Sequence, residues 1–432
     1  HKFLPAIPSN LFKENDGFQV DFYDGQEFDG KPIETKILKG NKFWAMGGFG
    51  LDIVSQSKRP SLSVRFTGEL QPEFSGEYDF EIFSIGPSRL SINGETQIDN
   101  WTSQDPGDAF FGMGSAPKRK KIIFEEGQTY LLEVEYKWEG RFPAVQIGMQ
   151  APDQFDLMEE AKSIAKEADA VILIVGTNSD WETEGNDRSN LDLPSNQDEL
   201  IEEICKLNKN TVVVLNTGSP CLMPWVEEAG SILQCWFPGQ EFGNSLSDII
   251  FGKTNPSGKL PTTFPKSIKD TPAYATYPGK DLQMDYEEGL YIGYRWYDKE
   301  EIDPLFPFGH GLSYTSFEYS NLRAIPPKGN ASVAAFEFEI CNTGDVAGKE
   351  IVQGYVKVSD SKIDRPRKEL KKFTKISLEP GETQKIKFEL SERELSFWNV
   401  DLHAWQVEPA EYIFEVGASA RDIRGSASVW LG

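Results

Sequence analysis

Apolar residues change their spacing twice along this chain of 432 residues. From about Gly17 to Gly148 they alternate with polar residues over short runs, which is the period of β-strands. From about Ala151 they follow helical spacing in some segments and form unbroken runs in others, and after Tyr319 alternation returns. This order predicts a multidomain chain with an α/β region between two all-β regions. The predicted boundaries are 1–16 (a linker or the end of a preceding segment), 17–150, 151–312 and 313–432.

The first region is predicted to be a β-sandwich or barrel. Asn93 and Gly94 interrupt one of its alternating runs, and Asn-Gly in that setting is a strong signal for a two-residue hairpin. Short strands with turns at this spacing are typical of sandwiches and barrels. The alternating runs are residues 61–70, 76–84, 89–99 and 130–138.

In the middle region, helices are predicted to alternate with buried strands. The apolar run AVILIV at 170–175 indicates the first strand. One apolar stripe at helical spacing is formed by Leu157, Ala161, Ile164, Ala165 and Ala168. Further helices are predicted at 196–207 and 243–252, and further strands at 211–215 and 231–236. This alternation is typical of an α/β sandwich with a mostly parallel sheet and helices on both faces. No G-x-G-x-x-G motif occurs, so nothing indicates dinucleotide binding.

The composition narrows the choice of partners. Lys plus Arg number 44 against 68 Asp plus Glu, which gives a formal net charge of −24. Such an acidic surface argues against nucleic acid and against an anionic membrane. No run of the sequence approaches the roughly 18 apolar residues that a membrane span needs. Assembly into a homo-oligomer remains open.

The cysteines bear on the compartment. None of the four shows CxxC or Cys/His metal spacing, so we predict no metal and no cofactor. Unpaired thiols favour a reducing compartment, hence the cytoplasm over secretion. Sequons at Asn100 and Asn330 would permit glycosylation of a secreted protein, so both compartments stay open. The cysteines are Cys205, Cys221, Cys235 and Cys341.

An acidic segment after the AVILIV strand carries the strongest functional signal. Gly176 and Thr177 mark the end of the strand, and DWETEGNDRSNLDLP follows at 180–194. In open α/β sheets, ligands bind in loops beyond the carboxyl ends of strands. A solvated acidic turn would have the same composition. The charged residues of this loop are Glu182, Glu184, Asp187, Arg188 and Asp192.

The pattern E-G-x-D-R followed by D-L-P closely resembles the acid/base loop of glycoside hydrolase family 3. Four later strings, in the same order, are similar to the second domain of that family: WFPGQEFGNSL, NPSGKLPTTFP, YEEGLYIGYRWYD and PLFPFGHGLSYTSFEY. The resemblance implies that Glu184 is the general acid/base. Gly185 would permit a positive φ or close approach of the backbone to substrate. Asp187 and Arg188 are expected to shape the loop, with Arg188 pairing with Asp187 or Asp192.

The resemblance also implies what this chain does not carry. In the family, the nucleophile is an Asp on a (β/α)8 barrel that precedes the α/β sandwich domain. Nothing in the sequence resembles that barrel, so we expect a carboxyl-terminal portion of a larger enzyme, with the barrel segment as its partner. Region 313–432 is similar to the family's fibronectin type III-like domain, for which we expect structural support.

Region 17–150 resembles the protective-antigen-type domain, here inserted within the α/β sandwich domain. Relatives that bind sugar through calcium use two adjacent aspartates, and region 17–150 contains no Asp-Asp pair. The resemblance implies that the loop at 101–118 covers the active-site mouth and limits substrate length, with Phe110 and Phe111 on the aglycone side. Both rings could equally fill the core of the β-domain.

The expected function is therefore part of a retaining, exo-acting β-glucosidase that hydrolyses terminal non-reducing β-D-glucosyl residues of a β-glucoside or oligosaccharide. One alternative is a β-xylosidase or another exo-β-glycosidase of the same family. An alternative from another class is a non-catalytic carbohydrate-binding protein built on the first region.

Overall fold

A computed structural model describes residues 3–13, 17–25, 27–39, 42–44, 61–139, 142–152, 156–179, 181–185, 187–328 and 332–432. The chain divides into two compact units whose segments interleave along the sequence. Unit 1 consists of His1–Val171, Thr177–Arg188 and Pro194–Asn210. Unit 2 consists of Ile172–Gly176, Ser189–Leu193 and Thr211–Gly432.

Unit 1 contains two antiparallel sheets. Six strands pair in the order β2-β1-β4-β9-β6-β7, and four pair in the order β3-β10-β5-β8. The strands are β1 Phe18–Asp24, β2 Glu34–Leu38, β3 Lys42–Trp44, β4 Ser61–Leu70, β5 Gly76–Ile85, β6 Ser88–Ile92, β7 Glu95–Asn100, β8 Lys118–Phe124, β9 Tyr130–Glu139 and β10 Ala144–Gln150.

One apolar core draws side chains from both sheets. Phe22 of β1 and Leu132 of β9 come from the larger sheet, and Phe80 of β5 and Ile147 of β10 from the smaller one. Alternate residues of each strand point to this core, which is why the alternating runs were visible in the sequence. The predicted hairpin is confirmed, since Asn93 and Gly94 join β6 to β7 with φ of 50° and 82°.

Unit 1 also contains a short turn, α1 (Ala109–Gly112), and two longer helices, α2 (Leu157–Glu167) and α3 (Gln197–Leu207). The Asp156 carboxylate caps α2 by accepting hydrogen bonds from the backbone N–H of Met158 and Glu159. Ala165 of the predicted stripe is buried, but Leu157 and Ile164 are 71% and 64% exposed. The stripe prediction is therefore wrong for these two residues, which find no apolar cover in the described chain.

Unit 2 begins with a three-stranded sheet in the order β11-β12-β13, in which β12 and β13 are parallel. The strands are β11 Val171–Gly176, β12 Thr211–Asn216 and β13 Ser231–Gln234, and the helices that follow are α4 Phe242–Ile250 and α5 Tyr294–Lys299. The prediction that the AVILIV run is fully buried is wrong for Ile172 and Ile174, which are 48% and 54% exposed. Side chains alternate along a strand, so Ile172 and Ile174 lie on the same face of β11, and the described residues leave that face uncovered.

The end of unit 2 is a second all-β region. Strands pair in the orders β14-β15-β18 and β17-β16-β21-β22, with a separate β19-β20 hairpin. One core joins the two larger sheets, with the rings of Phe336 and Phe414 stacked at a centroid distance of 4.4 Å. The elements are β14 Phe317–Ile325, β15 Ala334–Asn342, β16 Gly348–Val358, β17 Glu369–Leu378, β18 Thr383–Leu390, α6 Glu392–Leu395, β19 Phe397–Asn399, β20 Ala404–Gln406, β21 Ala410–Gly417 and β22 Ile423–Leu431.

Two observations bear on the compartment. The four cysteines form no disulfide in the described chain, and Cys205 and Cys221 are fully buried. Asn100, the first sequon residue, is also fully buried, so a glycan could not be attached there without disturbing the fold. Asn330 of the second sequon lies outside the described residues. No helix among the described residues is long and apolar enough to cross a membrane.

Candidate active site

The acidic loop begins where β11 ends and turns back on itself at once. Within unit 1, the backbone carbonyl of Asn178 accepts hydrogen bonds from the N–H groups of Trp181, at 3.0 Å, and Glu182, at 2.9 Å. These main-chain bonds hold the start of the loop in a turn. The turn therefore brings Glu182 back toward Thr177, the residue that follows the strand.

Glu182 is the anchored carboxylate of the loop. Its Oε1 accepts a hydrogen bond from Thr177 Oγ1 at 2.6 Å and lies 3.8 Å from Arg188 Nη1. The side chains of Glu182 and Arg188 are only 15% and 12% exposed. We had not expected this ion pair of Arg188 with Glu182. Of the two expected partners, Asp187 makes no ion pair with a described residue, and pairing with Asp192 stays a prediction. The sequence signal that could have indicated the pair with Glu182 is the Thr at the strand end, five residues before Glu182.

Glu184 has the opposite environment. It is exposed and makes no hydrogen bond to another residue that the structure describes. Gly185 follows it with φ of +80°, so the predicted positive φ is confirmed. Glycine adopts this left-handed conformation without the steric penalty that a Cβ brings. Asp187, predicted to shape the loop, is also exposed and has no hydrogen bond or ion pair with a described residue.

The two adjacent phenylalanines of the loop after β7 lie in different environments. Phe110 is 8% exposed and its ring packs on Phe83, with centroids 5.4 Å apart. Phe111 is 39% exposed. The expectation that both rings contact substrate is therefore wrong for Phe110. Its ring is buried in a small apolar cluster with Phe83, Ala109 and Ala144. Only Phe111 has surface available.

Phe111 lies beside the acidic loop. A Cβ atom built on Gly185 would be 3.7 Å from Phe111 Cδ1, which is ordinary van der Waals contact. Both residues belong to unit 1, so this relation holds within one compact unit. The structure thus brings together the exposed carboxyl of Glu184, the glycine turn after it and one exposed aromatic ring.

The described residues contain no group of three or more His, Cys, Asp or Glu side chains that could hold a metal ion. Within unit 2, His310 is held by main-chain hydrogen bonds and by a ring contact. Its backbone carbonyl accepts from Leu260 N–H at 2.8 Å, its N–H donates to the Pro307 carbonyl at 3.1 Å, and its ring stacks on Phe306.

An exposed carboxyl group, next in sequence to a glycine that lies beside an aromatic ring, suits proton transfer to a glycosidic oxygen and from water. In glycosidases, one carboxyl group protonates the departing oxygen and later activates water. An aromatic face alongside it can pack against the apolar face of a sugar. These features define the loop as a candidate half of a glycoside-hydrolase active site.

Comparisons with known proteins agree with this. Residues 96–314 match the Glycosyl hydrolase family 3 C-terminal domain, and residues 350–420 match the fibronectin type III-like domain. A beta-glucosidase of Rhizobium radiobacter is 35% identical over 424 residues, covering 95% of this chain and 51% of that protein. A beta-glucosidase of Kluyveromyces marxianus is 38% identical over 379 residues, covering 85% of this chain and 44% of that protein.

The crystal structure of the beta-glucosidase from Kluyveromyces marxianus in complex with glucose is also similar. It matches with a TM-score of 0.90 at 32% identity, covering 100% of this chain and 53% of that one. The beta-glucosidase DesR from Streptomyces venezuelae, solved with D-glucose, matches with a TM-score of 0.66 at 29% identity, covering 100% of this chain and 50% of that one. The chain belongs to glycoside hydrolase family 3. It spans about half the length of these relatives.

Proposed function

We propose that this chain supplies the general acid/base, Glu184, of a retaining exo-acting β-glucosidase that hydrolyses terminal non-reducing β-D-glucosyl residues. The observation that carries the proposal is the contrast between two carboxylates two residues apart. Glu182 is engaged by Thr177 and Arg188, whereas Glu184 is exposed and unengaged by the described residues. An acid/base must reach a substrate oxygen, and of these two glutamates Glu184 is the exposed one.

In the proposed reaction, Glu184 acts twice. The protonated carboxyl first donates its proton to the glycosidic oxygen as the bond to the anomeric carbon breaks, while a second carboxylate attacks that carbon from the opposite face. The Glu184 carboxylate then removes a proton from the water that releases glucose. The two carboxyl groups of a retaining enzyme lie about 5–5.5 Å apart.

We place the second carboxylate on a (β/α)8 barrel segment that pairs with this chain. Support comes from apolar side chains of unit 2 that the described chain leaves more than half exposed. Apolar side chains exposed to this degree, in number, are typical of a surface that another segment covers. They include Ile174, Leu282, Tyr286, Leu290, Ile292 and Leu312. A general acid needs a partly apolar setting, and we assign to the barrel the apolar groups that would surround Glu184 in the full enzyme.

The finer architecture belongs to the same proposal. Residues 17–150 form a protective-antigen-type insert, 151–312 an α/β sandwich domain that carries Glu184, and 313–432 a fibronectin type III-like domain. Phe111 contacts the aglycone side of the substrate, and Asp187 and Arg188 shape the loop around Glu184. The position of Phe111 beside Gly185 supports this assignment.

Leaving-group dependence tests the proposal in the enzyme that includes the barrel. Glu184→Gln should lower kcat/KM for cellobiose by about 10²–10⁴-fold, because alkoxide departure needs a proton. A dinitrophenyl glucoside, whose leaving group needs no proton, should lose far less in the glycosylation step. Equal losses with both substrates would contradict an acid/base role for Glu184.

The isolated chain provides a second test. Residues 1–432 alone should hydrolyse no β-glucoside, because one carboxylate cannot complete the double displacement. Adding a separately expressed barrel segment should restore turnover. Turnover by the isolated chain would require a second reacting carboxylate within it and would overturn the division of labour proposed above.

A further inference from the structure

The backbone at the tip of the loop after β7 is strained. Phe110 and Phe111 both have left-handed backbone, with φ of 53° and 61°, and Gly112 continues it with φ of 75°. Residues with a Cβ rarely adopt this conformation, and two in succession persist only where surrounding contacts hold them. What holds Phe110 and Phe111 therefore decides where the exposed Phe111 ring points.

The first restraint is the Phe110 ring itself. It packs on Phe83, which in turn stacks on Phe3 at a centroid distance of 4.4 Å. Gly114 makes room for it, since a Cβ at position 114 would lie 2.9 Å from Phe110 Cδ2. With the Phe110 ring fixed in this pocket, the left-handed turn places the next side chain, Phe111, on the outside.

The second restraint closes the base of the loop. Gly107 N–H donates to the Gly114 carbonyl at 2.9 Å, and Ala116 N–H donates to the Asp105 carbonyl at 2.7 Å. The two arms approach so closely that a Cβ at Gly107 would lie 2.6 Å from the Ser115 carbonyl carbon. The loop is thus a closed hairpin whose tip carries Phe111.

The third restraint is a buried polar cluster that ties both ends of the hairpin to the sheets. Asn100, the last residue before the loop, is fully buried. The two N–H donors of its Nδ2 have three hydroxyl oxygens within hydrogen-bond distance, Ser84 Oγ and Ser88 Oγ at 3.1 Å and Ser115 Oγ at 3.0 Å. Ser115 stands at the far end of the loop, and its Oγ also accepts from Ser84 N–H at 3.2 Å. Buried polar groups joined in this way specify one arrangement of their backbone.

We propose that Phe110 and the Asn100–Ser115 pair are positioning residues: they hold Phe111 against the Glu184 loop and thereby set the length of oligosaccharide that the site accepts. This rests on the proposed function for its substrate class. Phe110 acts through Phe111 and does not touch substrate.

Chain-length preference in the barrel-containing enzyme tests the proposal. Phe110→Ala should raise kcat/KM for cellotetraose relative to cellobiose by threefold or more, chiefly through a higher KM for cellobiose, as Phe111→Ala should. Phe110→Leu, which keeps an apolar anchor, should restore the wild-type preference. The double variant Phe110→Ala/Phe111→Ala should have the same chain-length preference as Phe111→Ala alone, because Phe110 acts only by positioning the Phe111 ring.

A control separates positioning from general weakening of the domain. Leu62 is 1% exposed in the main core of the same domain. Leu62→Ala should lower Tm without changing the chain-length preference. An unchanged preference in Phe110→Ala would overturn the proposal. If Phe110→Ala gives no folded protein, Ser115→Ala, which removes the acceptor of two hydrogen bonds, decides by the same criterion.

Hydrogen exchange on the 432-residue chain makes the test independent of catalysis. Phe110→Ala should speed exchange at the backbone amides of Gly112 and Gly114, which bond to the Asp108 and Ala109 carbonyls. Wild-type protection at these amides would also overturn the proposal. Failure of the proposed function can be distinguished from failure of this proposal. If the proposed function is wrong, the wild-type enzyme does not hydrolyse cellobiose, or Glu184→Gln does not change its activity. Neither result depends on the exchange rates.

Discussion

The Phe111 ring lies in van der Waals contact range of Gly185, 3.7 Å from the position that a Cβ on that glycine would occupy. One residue belongs to the loop after β7 and the other to the loop after β11, 74 positions apart in sequence numbering. Because Gly185 directly follows Glu184, a shift of either loop alters the space around the proposed acid/base. The first prediction concerns this glycine.

Gly185→Ala should lower kcat/KM. The strain of a Cβ at φ of +80° costs about 1–2 kcal/mol if the backbone stays in place, and relief of that strain moves Glu184. Gly94→Ala is a matched control, since Gly94 has φ of +82° with nothing within 4 Å of a built Cβ, in the β6–β7 turn. Both variants should lose similar unfolding free energy, and only Gly185→Ala should lose activity. Equal activities would show that the geometry of this turn is immaterial.

The two glutamates of the loop should fail in different ways. Glu182→Ala removes the acceptor of the Thr177 hydroxyl and the partner of Arg188, so the loop should lose its shape. Its kcat/KM should fall by a similar factor for cellobiose and for a dinitrophenyl glucoside. Glu184→Gln should instead spare the activated substrate. If Glu182→Ala also lost much less activity with the dinitrophenyl glucoside than with cellobiose, the assignment of the proton transfer to Glu184 would be wrong.

Removal of the hairpin should broaden chain-length tolerance. Replacing residues 102–117 by a short Gly/Ser bridge deletes the Phe111 ring while leaving Glu184 in place. The kcat/KM for cellotetraose relative to cellobiose should rise in the barrel-containing enzyme. Ile123→Ala, which truncates a side chain 75% exposed on the same domain, is the control and should change neither value. If the ratio of kcat/KM for cellotetraose to that for cellobiose were the same before and after the deletion, Phe111 would not contact the aglycone side of the substrate.

His310 should make the stability of unit 2 depend on pH. Burial lowers the pKa of the His310 imidazole, and the nearby Lys259 ammonium lowers it further, while Asp422 opposes both. The folded state therefore binds a proton less readily than the unfolded state. The stabilisation is complete above the unfolded pKa of about 6.5 and is lost as pH falls toward the lower, folded value, by up to about 1.4 kcal/mol per pH unit.

His310→Phe keeps a ring to stack on Phe306 and removes the titration. Unfolding free energies of the wild type and the variant, measured by denaturant titration from pH 7.5 to 5, should converge as pH falls. A difference that stays constant over this range would show that His310 titrates alike in both states.

The sequence predicted elements better than it predicted loops. Alternation located five of the ten described strands of the first all-β region, because each strand presents one face to a core, as Phe80 of β5 and Leu132 of β9 do. The Asn93-Gly94 turn was predictable because its backbone requires φ above zero. Exposure of Ile172 was not predictable, since an apolar run gives no sign of whether both faces of its strand are covered.

Within the site, residue types were predictable and partners were not. The left-handed turn at Phe110 and Phe111 breaks any alternation, so the sequence could not separate the buried ring from the exposed one. Arg188 has several carboxylates within reach along the loop, and only the main-chain turn at Asn178 brings Glu182 close. Spacing alone carries no information about such a turn.

The central claim is that Glu184 is the acid/base and not the nucleophile, and the product formed with azide tests it most directly. The barrel-containing Glu184→Ala enzyme is incubated with dinitrophenyl β-glucoside and sodium azide, and the anomeric configuration of the product is read by NMR. Azide should restore turnover and give β-glucosyl azide, because it attacks the glucosyl-enzyme intermediate from the face that Glu184 occupied. Formation of α-glucosyl azide would identify Glu184 as the nucleophile and contradict the account.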